Sequence, residues 1–234
     1  AYLPTGIVNS TTGIESNSYP IVDTGQDDCY DDSDIIDCPA EGDAFYGQDA
    51  QYRGNTASYT DNGDGTVTDH VTGLIWRQDT DTDGDGDMDA ADKLSASAAG
   101  AYCANLSYAG VDDWTLPTIK QFYSLIDFSG LDPSGYSGTD TSGLVPFIDT
   151  NYFDFAYGDT GAGERIIDAQ YVSSTYSVSD EDGELVFGVN FADGRIKGYG
   201  TSIGGREKTF SVACVRENDS YGVNDFVDNG DGTI

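Results

Sequence analysis

Basic side chains are scarce in this sequence. Lys and Arg number 10 of 234 residues, against 42 Asp and Glu, and the formal net charge at pH 7 is −32. Nucleic-acid binding needs Lys and Arg to displace counterions from phosphates, so this charge excludes a nucleic-acid partner. It excludes attraction to anionic lipid surfaces for the same reason. No apolar run approaches the roughly 20 residues of a membrane helix, and we expect no membrane insertion.

Side chains and motifs that common catalytic mechanisms require are also few. His70 is the only histidine, and we expect it in a strand or turn, facing solvent or hydrogen-bonded. The sequence has no nucleophile elbow and no Gly-rich phosphate loop with its Lys. Among 42 carboxylates some pair falls at glycosidase spacing by chance, so a glycan-processing enzyme ranks third among the functions considered. We predict that the protein is not an enzyme.

Apolar side chains, in contrast, are sufficient for a core. Hydrophobic residues make up 38% of the chain and aromatic residues 12%. A disordered chain of this charge would contain far fewer of both. We therefore expect a folded and very acidic protein.

The four cysteines are Cys29, Cys38, Cys103 and Cys214, and they permit three disulfide pairings. None lies in a CxxC motif and there is one histidine, so a zinc site is poorly supported. We favour Cys29–Cys38 with Cys103–Cys214; the alternative is four buried thiols. Disulfides together with the acidic composition predict an oxidising, extracellular or cell-surface location.

The chain divides into three predicted parts. Residues 1–56 form an extended arm with a Cys29–Cys38 loop, because turn formers recur there without a helical period. Residues 57–217 form one domain, in which short strands come first, two helices follow and further strands end it. The first helix is expected from Asp89 to about Ser107, and Thr118 with Gln121 has the capping-box spacing that begins the second.

A repeat defines the third part, residues 218–234. The sequence Tyr59–Val67 contains Asp-Asn-Gly-Asp-Gly, and the same pattern returns at Phe226–Ile234. We interpret both Asp-Asn-Gly-Asp-Gly segments as turns rather than metal sites, since they are too short to supply six oxygens. The last segment is predicted to be a strand or hairpin that resembles the start of a second repeat. It is a candidate for strand addition to another copy of the chain.

An acidic loop at residues 79–92 carries the strongest chemical signal. With Asp81 at position 1 of a twelve-residue calcium loop, Gly86 falls at position 6, where the turn needs it. The predicted metal-site residues occupy positions 1, 3, 5, 7, 9 and 12: Asp81, Asp83, Asp85, Asp87, Asp89 and Asp92.

Charge repulsion also favours a cation in this loop. Residues 79–92 hold seven aspartates, which repel one another strongly when packed against a folded body. Hard oxygen ligands favour Ca²⁺ over transition metals, and a lone loop favours a structural role for the ion. Asp92 is shorter than the usual Glu, and a strand rather than a helix precedes the loop. The alternative is a solvated acidic turn that caps the next helix.

Half of the basic residues lie between Arg195 and Arg216. On alternating strands several of them could share one face, where they would contact the acidic surface of a neighbouring copy or an anionic sugar. Local neutralisation within the sheet is the alternative, and both stay open.

Several short motifs together resemble the C-terminal domain of the Lcl-type collagen-like adhesins. They span roughly residues 24–217: Thr24-Gly25-Gln26, Cys29-Tyr30, 61–66, 71–76, 102–106, Ala109-Gly110, 113–118, 124–127, 188–191, 193–195 and 213–216. Thr115 stands where the family usually has Arg, and the acidic loop looks like an insertion.

The resemblance implies an α+β, C-type-lectin-like fold. Two helices would pack on small twisted antiparallel sheets with long loops, and Cys103 would pair with Cys214. It also implies a secreted or surface-displayed protein, often in tandem copies, and the named adhesins bind sulfated polysaccharide. A net charge of −32 repels such a polyanion, so the resemblance gives little support for sulfated polysaccharide as a ligand of this chain.

These observations predict a non-enzymatic extracellular assembly subunit. Its partners would be copies of itself, joined through the N-terminal arm and the C-terminal strand into a filament, surface layer or tandem adhesin, with Ca²⁺ as cofactor. The alternative is a carbohydrate- or receptor-binding adhesin module.

Overall fold

The structure is a computed structural model that describes residues 19–178, 185–224 and 226–233. Residues 1–18 of the predicted arm and Ile234 of the predicted repeat lie outside the described residues. In the described residues no helix is long and apolar enough to cross a membrane.

The regular secondary structure of the described chain consists of short antiparallel strands, two short α-helices and a 3₁₀ helix at Asp49–Gln51. The strands are β1 (Cys29–Tyr30), β2 (Ile35–Ile36), β3 (Tyr59–Asp61), β4 (Thr66–Asp69), β5 (Ile75–Arg77), β6 (Leu94–Ser95), β7 (Gln170–Tyr176), β8 (Leu185–Asn190), β9 (Arg195–Gly200), β10 (Ser202–Ile203), β11 (Arg206–Glu207), β12 (Thr209–Phe210) and β13 (Val215–Arg216). The helices are α1 (Ala96–Asn105) and α2 (Ile119–Tyr123). This composition is compatible with the predicted α+β class.

Two sheets hold most of the strands. One has the order β13-β5-β4-β3, and its antiparallel register places Trp76 of β5 between Val67 of β4 and Val215 of β13. The other has the order β7-β8-β9, which leaves β9 at its edge. The pairs β1–β2, β6–β12 and β10–β11 each form a two-stranded ladder. The pairs β6–β12 and β5–β13 join strands that are distant in sequence, and short-range patterns do not specify these two pairings.

The two helices begin where side chains cap them. The Thr118 hydroxyl accepts a hydrogen bond from the Gln121 backbone N–H at 3.2 Å, and the Gln121 side chain accepts one from the Thr118 N–H at 2.8 Å, so the predicted capping box is confirmed. Helix α1 begins later than predicted. Residues 89–93 form turns instead, because the carboxylates of Asp89 and Asp92 accept backbone hydrogen bonds that a helix would use.

The core consists of two adjoining clusters. One surrounds Trp76 and Phe122, whose rings stack with centroids 5.8 Å apart, and includes Val189 and Phe191 of the second sheet. The other surrounds Trp114 and Phe210 and contains the completely buried Cys103 and Cys214.

Both predicted disulfides are formed. Cys103 on α1 is bonded to Cys214, the residue before β13, across a sequence separation of 111. Cys29 is bonded to Cys38 across a separation of 9, beside the β1–β2 ladder of the arm. The long-range bond therefore links α1 to the residue that leads into β13 of the first sheet.

The predicted C-terminal strand is not formed in residues 218–224 and 226–233. A strand needs a neighbour for its backbone N–H and C=O groups, and the described chain offers none at this segment. The segment instead forms a turn in which the Asn229 N–H donates to the Thr233 carbonyl at 3.1 Å. The same bond joins Asn62 to Thr66 at 3.0 Å in the first copy of the repeat.

Candidate metal centre

The acidic loop connects β5 to β6 and brings all six predicted metal-site residues into two groups. Asp81, Asp83 and Asp85 form one group, and Asp87, Asp89 and Asp92 form the other. Within each group, one carboxylate oxygen from each residue lies within 4.8 Å of the others. The loop therefore offers two clusters of hard oxygen atoms, the donors that Ca²⁺ takes.

Asp81 organises the first half of the loop. Its carboxylate accepts the backbone N–H of Gly84 at 2.6 Å and that of Gly86 at 3.0 Å. These bonds, the one from Gly84 foremost, hold the pKa of Asp81 below its ordinary value. Gly86 has a φ of 95°, a left-handed conformation that glycine adopts without strain, as its predicted role at position 6 requires.

Asp92 closes the second half. Only 2% of this residue is exposed, and its carboxylate accepts backbone N–H groups from Thr82 at 2.6 Å, Asp83 at 3.3 Å and Asp89 at 2.9 Å. The Thr82 hydroxyl also donates to the Asp92 carbonyl at 2.8 Å. Asp92, predicted as the last ligand of the loop, thus also acts as the buried anchor that joins its two ends. Sequence reasoning missed this anchoring role.

The aspartates between these anchors repel one another. Loss of hydration, followed by the charge of Asp85, raises the pKa of Asp83. The charge of Asp85 is the largest cause of the raised pKa of Asp87. Raised carboxyl pKa values mean that the folded loop disfavours its own negative charges, and a bound cation would relieve that repulsion.

A buried arginine lies beneath the loop. Arg77 at the end of β5 has 6% of its side chain exposed, pairs with Asp79 at 2.7 Å and donates to the Asp81 carbonyl. Its guanidinium lies 4.8 Å from the ring centre of Tyr108 and donates to the Tyr102 hydroxyl. Arg77 therefore partly neutralises the base of the loop and fixes it to the domain. The residue is inconspicuous in the sequence, because its burial depends on tertiary contacts.

The other end of the loop is fixed by Lys93. Its ammonium group pairs with Glu164 at 2.5 Å and donates to the Asp168 carbonyl at 2.6 Å, and 9% of the side chain is exposed. With Arg77 at one end and Lys93 at the other, the loop is held at both ends by cations.

Residues 65–216 match the family model of the Lcl C-terminal domain. The chain belongs to the Lcl C-terminal domain family. Searches of curated proteins and of solved structures found no match. The matched range of the Lcl C-terminal domain includes the acidic loop and the Cys103–Cys214 disulfide, whereas the Cys29–Cys38 disulfide lies before it.

The Asp-Asn-Gly-Asp-Gly segments are turns, as predicted. In the first copy, which leads into the matched range, Asp61 accepts the Gly63 N–H at 2.8 Å, and Asp64 accepts the Thr66 hydroxyl at 2.6 Å. The second copy repeats these bonds at 2.8 Å and 2.6 Å between the equivalent residues 228, 230, 231 and 233. Their carboxylates are thus used to build turns.

The basic residues are mostly paired within the chain. In the described part, seven of the ten Lys and Arg residues form ion pairs with carboxylates. Arg195 pairs with Asp132 at 2.6 Å, and Arg216 pairs with Asp113 at 2.6 Å. These pairs favour the local-neutralisation interpretation of the cluster between Arg195 and Arg216.

His70 is hydrogen-bonded. Its Nε2 atom lies 2.8 Å from the Thr60 hydroxyl on the exposed surface of the first sheet. The contact agrees with the expected role of a satisfied surface histidine.

Proposed function

We propose that this chain is a non-enzymatic structural subunit of the cell surface or extracellular space. In this proposal a C-type-lectin-like domain stabilised by Ca²⁺ associates with copies of itself in a filament, a surface layer or a tandem adhesin. The observation that carries the proposal is the acidic loop, in which six aspartates are gathered in two groups on a fixed backbone. A loop of this charge density has its most direct physical use as a stabilising cation site.

The loop's backbone supports a structural role for the ion. Asp81 and Asp92 hold it closed through five hydrogen bonds from backbone N–H groups, two to Asp81 and three to Asp92. Asp83, Asp85 and Asp87 keep exposed carboxylates toward solvent. A cation bound there would stabilise the connection between β5 and α1, and through it the Cys103–Cys214 region.

The fold and the location rest on further observations. Two short helices, small antiparallel sheets and a disulfide from α1 to the residue before β13 are compatible with a C-type-lectin-like domain. Residues 124–169 contain no named helix or strand, which agrees with the long loops expected of such a domain. Disulfides persist in oxidising compartments, so the two bonds support a secreted or surface location.

Exposed apolar side chains at the C-terminal segment support self-association. Val223 is 58% exposed, Phe226 is 72% exposed and Val227 is 54% exposed. Phe226 is the repeat equivalent of Tyr59, whose ring packs against Phe153 with centroids 5.2 Å apart. An aromatic side chain that is packed in one copy of the repeat and exposed in the other is suited to contact a neighbouring molecule.

A carbohydrate- or receptor-binding adhesin module is the second candidate, and exposed tyrosines on the arm favour it. Tyr30, Tyr46 and Tyr52 are 42%, 44% and 58% exposed. Aromatic rings at a surface supply apolar area with a polar tip, which suits sugar rings. In this case a glycan-array signal would disappear on Tyr46→Ala and Tyr52→Ala and would not depend on polymer formation.

Two measurements on the full chain test the leading proposal. Metal-free protein is titrated with Ca²⁺ by calorimetry, and the self-association of the same samples is followed by sedimentation velocity and electron microscopy. We expect binding tighter than about 1 mM, the weak end of known calcium loops. Asp83→Asn should weaken binding, whereas Asp32→Asn on the arm should not. No binding, or a monomer at every concentration, would contradict the corresponding part of the proposal.

A further inference from the structure

An apolar groove lies where the described chain begins. Its walls include Ile119 and Tyr123 of α2, Phe187 of β8 and Ile196 of β9, and Tyr19 and Ile21 also line it. The cavity has a volume of about 450 Å³. Ile21 is 57% exposed, and Tyr123 and Ile196 are both 41% exposed, so solvent reaches the apolar wall.

The charge of this groove differs from that of the rest of the chain. None of its lining residues is Asp or Glu, although the sequence contains 42 of them. Lys120 is the one charged residue in the lining, and its ammonium group donates to the Gly222 carbonyl at 2.7 Å. A neighbouring molecule with a net charge of −32 is repelled by most of the surface, but an uncharged segment of it meets no acidic side chain here.

The sequence supplies such a segment. Residues 1–14 contain no charged side chain and include the apolar residues Tyr2, Leu3, Ile7 and Val8. Residues 15–18, Glu-Ser-Asn-Ser, are polar and separate these apolar residues from Tyr19 in the groove of the same copy. Eighteen residues reach about 60 Å when fully extended, which is enough to cross to a neighbouring copy.

We infer that residues 1–14 of one copy bind the groove between α2, β8 and β9 of a second copy. This inference rests on the proposed self-association and names the segment and the surface that produce it. Ile196 lies on β9, the edge strand of its sheet, so the groove adjoins backbone groups that an extended segment can pair with. The apolar side chains of the segment replace water on Tyr123 and Ile196, and each copy has one segment and one groove, so the contact propagates head to tail.

Single variants of the full chain test the contact. Ile196→Glu places a charge in the groove, and Ile7→Glu places one in the segment. Each should weaken self-association by about tenfold or more, because a charge would be buried against apolar side chains. Ile203→Glu is the matched control: Ile203 is 68% exposed and lies on β10, outside the groove, and this variant should associate like wild type. Ile21→Glu is a second groove variant at a position that is already more than half exposed.

Mixing the variants separates the alternatives. Ile196→Glu keeps an intact segment and Ile7→Glu keeps an intact groove, so an equimolar mixture should form heterodimers in sedimentation velocity while each variant alone stays monomeric. A mixture that stays monomeric would overturn the inference and indicate that the segment fills the groove of its own copy. Wild-type polymers that survive Ile196→Glu and Ile21→Glu would overturn the groove but leave self-association intact. A wild-type chain that never associates would overturn both.

Discussion

The buried carboxylate of Asp92 accepts a hydrogen bond from the backbone N–H of Thr82 at 2.6 Å, ten positions earlier in the chain. Together with the bond from the Thr82 hydroxyl to the Asp92 carbonyl, this contact joins the two ends of the acidic loop. It also places Asp92, with 2% exposure, in the same oxygen cluster as Asp87 and Asp89. The loop is therefore shaped by one of its own candidate ligands, so a cation bound there would be coupled to the fold of the loop.

Replacement of that carboxylate should destabilise the protein even without metal. In Asp92→Asn the amide NH₂ group replaces one of two oxygens that accept N–H groups, so at least one buried donor loses its acceptor. We expect the free energy of unfolding of the metal-free protein to fall by about 1–3 kcal/mol, measured by urea denaturation. Asp85→Asn, at an exposed position, should leave that stability nearly unchanged. Equal losses for both variants would contradict the anchoring role of Asp92.

Acidification should weaken calcium binding at a higher pH than for isolated carboxylates. Loss of hydration raises the pKa of Asp83, and the charge of Asp85 raises that of Asp87. In the metal-free protein a raised carboxyl pKa contributes stability that is present at low pH and lost as the pH rises through it. Bound Ca²⁺ would act in the opposite sense, because the ion would replace these protons, and we therefore expect its stabilisation to be greatest at neutral pH.

Calorimetric titrations between about pH 7 and about pH 4.5 measure this competition. The affinity for Ca²⁺ should fall progressively over the range, with proton release on binding at the acidic end. Asp87→Asn removes one raised carboxyl group and should move the onset of the fall to lower pH. A constant affinity over the whole range would show that Asp83 and Asp87 do not titrate with the ion.

The two disulfides should differ in their contribution to stability. In the chain-entropy model, a cross-link spanning 111 residues stabilises by about 5 kcal/mol, and one spanning 9 residues by about 3 kcal/mol. Cys103 and Cys214 are also completely buried in the core of the Lcl C-terminal domain. Replacement of both by Ala should therefore reduce the free energy of unfolding more than the same change at Cys29 and Cys38, in urea denaturation followed by tryptophan fluorescence. A larger effect of the arm disulfide would contradict this order.

Part of this architecture was accessible from local sequence patterns. The capping box at Thr118, the turns around Gly63 and the preferred cysteine pairing depend on short-range spacing or on family motifs, and the structure confirms them. The start of α1 was predicted too early, because Asp89 and Asp92 bind backbone N–H groups through their side chains. A periodic pattern of apolar residues contains no information about that competition.

Features built from distant residues were not accessible. The ion pair of Lys93 with Glu164 spans 71 positions. The burial of Arg77 beneath the loop depends on Tyr102 and Tyr108. The six aspartates were recognisable because their spacing is local, whereas the cations that hold the loop come from tertiary packing. For the same reason the groove at Ile196 had no sequence signal, since α2 and β9 contribute to it separately.

The two copies of the Asp-Asn-Gly-Asp-Gly turn allow the effect of side-chain packing to be separated from the effect of backbone strain. Gly65 has a φ of 83°, and a Cβ atom there would lie 1.9 Å from the Tyr108 hydroxyl oxygen. Gly232, its equivalent, has a φ of 89° with nothing within 4 Å of such an atom. Gly65→Ala therefore adds a steric overlap to the cost of a left-handed alanine, whereas Gly232→Ala has the conformational cost alone.

We expect Gly65→Ala to lower the free energy of unfolding by about 2–4 kcal/mol, measured by urea denaturation. Gly232→Ala should leave the unfolding transition of the domain in place, because its turn makes no contact with the core. Tyr108→Phe combined with Gly65→Ala should recover part of the loss, since it removes the oxygen nearest the new methyl group. If both glycine variants were equally destabilised, backbone strain rather than the contact with Tyr108 would be the cause. In that case the contact of the first turn with the segment between α1 and Trp114 would not contribute to the free energy of unfolding.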